Sequence, residues 1–229
     1  MATAKGSKPR AQRAKAAAPA GTPVKTWSGG KAGSATLDGA PLGDKVKVRL
    51  LREAVRMYEA NRRQGTHSTK TRGETNFSER KPYKQKGTGN ARRGDFNSPL
   101  LKKGGVIFGP RPRDYGWGMP RKALREALRS ALAGKLRDGE VGTLKAADFG
   151  KPSTKTAATA LAALGCDGSV CVVLPKQDET LWKSFRNLAR CSVTRAGDLN
   201  ALDVLANRHV VFVEDAWDVL MQRLAGAAS

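Results

Sequence analysis

Two histidines, His67 and His209, and three cysteines, Cys166, Cys171 and Cys191, are all the imidazole and thiol side chains that 229 residues offer. The cysteines are odd in number and form no Cys-x-x-Cys pair, which argues against a zinc site and against a disulfide framework. They read instead as buried, reduced, structural thiols. Two histidines leave little room for a Ser/His/Asp or Cys/His catalytic set. No apolar run approaches the roughly 20 residues that a membrane span needs. Acids are scarce as well: 20 against 42 Lys and Arg, for a formal net charge of +22.

The positive charge is unevenly placed. Residues 1–37 carry seven bases and no acid, whereas residues 138–229 carry ten bases and eleven acids, as an ordinary near-neutral globular sequence does. Between them, Arg62 to Arg113 holds fourteen Lys/Arg against Glu74, Glu79 and Asp95. That stretch is rich in Gly and Pro and has no apolar period, so it cannot bury enough apolar surface to offset its ordering entropy. Loops longer than about 12–15 residues are uncommon in compact domains unless they are functional or disordered. Such asymmetry points to a polyanion, and nucleic acid is the expected partner.

The candidate RNA-binding residues are Arg62, Arg63, Lys70, Arg72, Arg80, Lys81, Tyr83, Lys84, Lys86, Arg92, Arg93, Lys102, Lys103, Arg111 and Arg113. The run from Gly87 to Gly94 lacks the preceding strand and following helix of a dinucleotide fingerprint. Its glycines read as letting backbone lie close against phosphate, with cations beside it. Tyr83, Phe96, Phe108, Tyr115 and Trp117 are spread among these cations. Aromatic rings stack on unpaired bases, and Tyr83 near the loop's middle is read as a base contact. Phe108 and Trp117 are read as anchors of the loop base on the globular domain.

Residues 1–22 are basic, Ala-rich and free of acid, a composition shared by disordered RNA-binding tails and organellar transit peptides. Pro9, Pro19 and Pro23 weaken an amphipathic helix and favour the tail. A strand is expected over Val24–Ser28, followed by a Gly-rich turn, and then a helix from an Asp44 N-cap to Asn61. Pro120 suits the first position of a second helix, on which Leu124, Leu128 and Leu132 with Ala123, Ala127 and Ala131 form an apolar stripe. From Val141 strands and helices alternate. Val141–Ala147, Val170–Leu174, Ser192–Thr194 and Val210–Val213 read as strands. Ser153–Leu164, Asp178–Ala189, Leu199–Ala206 and a last helix capped by Glu214 or Asp215 read as helices. Alternation of this kind predicts an α/β fold: a three-layer αβα domain with a mainly parallel sheet. Residues 23–229 are expected to form one globular domain, interrupted by an extended loop at 63–118 between two helices.

Asp148, Asp167, Asp178 and Glu179 sit at strand–helix junctions and read as caps and solvated turns, not as paired catalytic carboxylates. The rival to an RNA-binding structural protein is an RNA-processing or RNA-modifying enzyme with a basic substrate arm. Such an enzyme should gather polar residues at the carboxyl ends of its strands.

One set of motifs is specific. Arg63-Gln-Gly-Thr, Lys70-Thr-Arg, Lys81-Pro-Tyr-Lys-Gln-Lys-Gly-Thr-Gly-Asn-Ala-Arg, Ser98-Pro, Gly104-Gly-Val-Ile-Phe-Gly-Pro-Arg-Pro-Arg-Asp and Arg129-Ser-Ala-Leu closely resemble the bacterial-type large-subunit ribosomal protein L-four family. The resemblance spans roughly residues 24 to 224. It implies no catalytic activity, cofactor or metal, and a place in the cytoplasmic ribosome, or an organellar one if residues 1–22 are a transit peptide. It also implies binding of large-subunit ribosomal RNA early in assembly. The loop tip, Lys84, Gln85, Lys86, Gly87, Thr88 and Gly89, would line the constriction of the peptide exit tunnel. Its neighbours there would be the hairpin of protein L-twenty-two and the passing nascent peptide. The chain departs from the family at Asn90, where Arg is usual, and at Tyr83, where Trp is common. The segment from Thr75 to Glu79 is also less glycine-rich than usual.

Overall fold

The computed structural model describes residues 21–226 apart from Asp44 and Glu79. The expected tail and the Asp44 cap therefore lie outside the described residues, the tail all but its last two positions. The strands are β1 (Thr22–Ser28), β2 (Lys31–Leu37), β3 (Val141–Leu144), β4 (Val170–Leu174), β5 (Cys191–Arg195) and β6 (His209–Val213). The helices are α1 (Val48–Asn61), α2 (Arg121–Arg137), α3 (Thr154–Ala163), α4 (Glu179–Phe185), α5 (Ala201–Ala206) and α6 (Ala216–Ala225). The described residues form two compact units, one of residues 21–55 with 119–226 and one spanning Arg56–Gly118.

In the first unit the strands form one sheet in the order β2-β1-β3-β6-β4-β5. All neighbours are parallel except β2, which pairs antiparallel with β1 from Thr22↔Leu37 to Ser28↔Lys31. The continuous apolar runs of β4 and β6 are those of strands buried on both faces. Successive side chains point to opposite faces. Accordingly Cys171, Val173, Val210 and Phe212 enter one core with Ala127, Leu128, Ala131 and Leu132 of α2, Val204 of α5 and Leu220 of α6. Val170, Val172, Val211 and Val213 enter the other with Ala157 and Ala160 of α3 and Leu181 and Phe185 of α4. Helices thus cover both faces of the sheet. Fully burying one side chain such as Phe212 contributes about 1.5–3 kcal/mol.

Local signals explain the helix starts. The Ser153 hydroxyl accepts from the Thr156 amide at 3.3 Å, and the Asn200 side chain accepts from the Asp203 amide at 2.9 Å. Asp178 accepts from the amides of Thr180 and Leu181 and from the Thr180 hydroxyl. These bonds, the Thr180 hydroxyl first, hold its carboxyl below the usual range. Glu214 caps nothing at α6; its carboxylate accepts from the Ala146 amide at 3.1 Å, and Asp215 occupies the N-cap position without a side-chain bond.

The structure corrects several boundaries. β2 was not expected, because KAGSATL has no apolar alternation and lies mostly exposed. α1 starts at Val48 and α5 at Ala201, while α4 ends at Phe185, short of Ala189. Cys171 is buried as expected, but Cys166 and Cys191 are only half-buried. Loss of water raises all three thiols, Cys191 to about 11, so none is primed as a nucleophile.

Candidate nucleic-acid interface

In the unit Arg56–Gly118, two extended segments run antiparallel and form the stem of an arm. The Val106 amide donates to the Lys70 carbonyl at 3.0 Å, Thr69 to Pro110 at 3.1 Å and Arg113 to Gly65 at 3.2 Å. The Trp117 amide donates to the Asn61 side chain at 3.0 Å, tying the last residues of α1 to the returning strand of the stem. Two motif glycines are required by this close approach. A Cβ on Gly65 would lie 2.0 Å from the Arg113 carbonyl oxygen, and its φ of +69° disfavours any other residue. A Cβ on Gly105 would lie 2.3 Å from the Arg72 amide nitrogen.

A capping box stabilises the next turn. The Glu74 carboxylate accepts from the Thr71 amide at 2.9 Å, and the Arg111 guanidinium donates to it at 2.8 Å. The Thr71 amide, the Thr71 hydroxyl and Arg111, in that order, keep the Glu74 carboxyl below the usual range. Arg72 lies 4.0 Å from Asp95. Lys70, Arg80, Lys84, Lys86, Arg92, Arg93, Lys102 and Lys103 are exposed and meet no carboxylate among the described residues. So many uncompensated cations on a narrow arm make a surface suited to phosphate.

At the base of the stem two guanidiniums lie over the ring of Tyr115, Arg63 at 3.8 Å and Arg113 at 4.4 Å from its centroid. His67 stacks against the same ring, and its Nε2 is 3.2 Å from the Tyr115 hydroxyl. Neither arginine has a carboxylate partner among the described residues, and the ring's negative face offsets part of their mutual repulsion. Sequence reasoning gave His67 no role beyond a poor zinc ligand. The stack joins Arg63 and His67 on one strand of the stem to Arg113 and Tyr115 on the other, so no local residue pattern announces it.

Lys84 to Gly89 are all exposed at the tip, where the Lys81 ammonium donates to the Gln85 side chain and the Tyr83 hydroxyl donates to the Ala91 carbonyl. Tyr83, expected as a base contact, is half-buried and uses its hydroxyl within the turn. Phe108 is 98% exposed and Trp117 44%. The expectation that Phe108 anchors the loop base is therefore wrong: a lone aromatic in a Gly/Pro segment has no neighbouring apolar face to enter. Trp117 is held by its backbone rather than by a buried ring.

At the carboxyl ends of β4 and β5 a cleft of about 550 Å³ is lined by Leu174, Asp178, Trp182, Val193 and Arg195, among others. Its carboxylates are already engaged: Asp178 caps α4, Glu179 pairs with Lys183 at 2.9 Å, and Asp198 pairs with Arg195 at 2.5 Å. No group of three His, Cys, Asp or Glu side chains among the described residues could hold a metal ion. No helix among them is long and apolar enough to cross a membrane.

The large ribosomal subunit protein uL4 of Symbiobacterium thermophilum is 48% identical over 188 residues, covering 82% of this chain and 91% of its own length. The uL4 proteins of Carboxydothermus hydrogenoformans and Frankia casuarinae are 41% and 42% identical, over 85% and 86% of this chain and 94% and 80% of their own lengths. Their family is one of ribosomal proteins rather than of enzymes. Residues 35–223, which include the whole arm, match the family model, and the chain belongs to the ribosomal protein L4/L1 family.

Proposed function

We propose that this protein is a structural constituent of the large ribosomal subunit. It binds large-subunit ribosomal RNA early in assembly, chiefly through the arm. The observation that carries this reading is the set of exposed arm cations that meet no carboxylate among the described residues, Lys70, Arg80, Lys84, Lys86, Arg92, Arg93, Lys102 and Lys103, on a chain of this family. Phosphate contacts of this kind position a protein on RNA without reading sequence. The tip from Lys84 to Gly89 lines the constriction of the peptide exit tunnel, beside the hairpin of protein L-twenty-two and the nascent peptide. Its glycines support that role: Gly87 and Gly89 have positive φ, a conformation that glycine adopts without strain.

Two measurements test the proposal. The native protein should sediment with large subunits through high salt; recovery free of subunits would overturn it. Replacing Lys84–Gly89 with a short Gly/Ser link should leave subunit incorporation largely intact while changing the protection of tunnel nucleotides against chemical probes. Loss of incorporation with unchanged tunnel protection would overturn the division between arm and tip.

A further inference from the structure

Phe96 lines two clefts of the arm. One, of about 420 Å³, is walled by Phe77, Phe96, Leu100 and Leu101, with Arg93 and Lys102 beside them. The other, of about 510 Å³, is formed with Arg80, Lys81, Pro82, Tyr83 and Lys84. Among the described residues, no carboxylate lines either cleft. Phe77 is 41% exposed, Phe96 43% and Leu100 93%. Single exposed apolar residues are ordinary, but a cluster of them around a concavity marks a binding surface. Phe77 falls in the Thr75–Glu79 segment, where this chain is less glycine-rich than the family pattern.

The chemistry of the walls selects the occupant. A protein partner's apolar side chain would satisfy the rings, but it would bury Arg93 and Lys102 without a counter-charge, which is costly. An unpaired nucleotide brings both a flat π-face for the rings and a phosphate for the cations. A paired duplex cannot present its base faces at all. We propose that the two clefts sharing Phe96 form a site for unpaired RNA bases, which stack on Phe77 and Phe96 while Arg80, Arg93 and Lys102 meet the flanking phosphates. The site rests on the RNA-binding reading above and narrows it to single-stranded segments.

The test uses the full-length protein and three probes: a short oligouridine strand, an abasic strand with the same number of phosphates, and an RNA duplex. The native protein should prefer oligouridine to the abasic strand, a comparison that needs no variant. F77A/F96A should weaken oligouridine binding roughly 5- to 100-fold while leaving the abasic strand, the duplex and the salt dependence unchanged. F77Y/F96Y, which keeps the rings, should bind as the native protein does. Equal binding of oligouridine and abasic strand by the native protein overturns the base site and leaves the phosphate reading standing. So does equal weakening of all three probes by F77A/F96A, or no weakening. Absence of salt-dependent binding to any strand overturns both.

Discussion

Neutralising four of the exposed arm cations should change how RNA affinity responds to salt by a calculable amount. Arg92, Arg93, Lys102 and Lys103 are exposed and have no carboxylate partner among the described residues, so replacing each with Gln removes charge without orphaning an acid. If all four meet phosphate, each contributes about 0.7–0.9 to the slope of log K against log salt, and the variant's slope should be shallower by about three. Over a fourfold rise, from about 50 to 200 mM salt, the native protein should lose about 60-fold more affinity than the variant. Filter binding to large-subunit ribosomal RNA over a salt series measures both slopes, and contributions from the remaining cations cancel in the difference. A variant that binds more weakly at every salt concentration with an unchanged slope would mean that these residues act through shape. A native slope near zero would remove the electrostatic account altogether.

Gly65→Ala forces a Cβ onto the Arg113 carbonyl at a positive φ, a strain of about 1–3 kcal/mol, and trypsin should then cut between Arg62 and Arg113 faster than in the native protein; an unchanged digestion rate would mean that the stem tolerates the methyl. Phe212→Ala empties a fully buried site on β6, edge-on to Trp217 at 5.1 Å, and should cost about 3–5 kcal/mol in denaturant unfolding, a loss under 1 kcal/mol counting against the two-core description. Asp178→Ala should cost about 1 kcal/mol near neutral pH. Because the folded carboxyl is depressed below its ordinary 3.8, the native advantage is present above about pH 4 and lost as pH falls through the lower folded value, so unfolding curves of native and variant should converge in acid.

The parts of the fold that could be read in advance are those where one physical demand dominates. VCVVL and VVFV are apolar at every position because both faces of β4 and β6 are covered, and both strands lie within a residue of where they were expected. Ser153 and Asp178 announce their helices because few other residues accept amide bonds at a helix start. β2 gave no such sign, since an antiparallel edge strand needs only one partner and tolerates Lys, Gly and Ser. In the interface, cations are visible as composition, whereas pockets are not. Phe77 and Phe96 are separated by a turn of the arm and share no period. The Arg63–Tyr115–Arg113 stack depends on a stem pairing that residue patterns do not encode.

The order of the strands has a consequence for synthesis. β1 and β2 leave the making machinery first and can pair at once as a local hairpin, but the parallel partner of β1 is β3, which is not made until the whole arm has been. β3 in turn waits for β6, the last strand, which lies between β3 and β4 at the centre of the sheet. A chain stopped before His209 therefore lacks the central rung, not an outer one, and is left with β2-β1-β3 and β4-β5 as separate ribbons. Throughout that interval the hairpin's open side is exposed, and the growing chain already carries its most basic stretch. Closure by the final strand makes a shortened product fail as a whole rather than survive as a nearly complete protein.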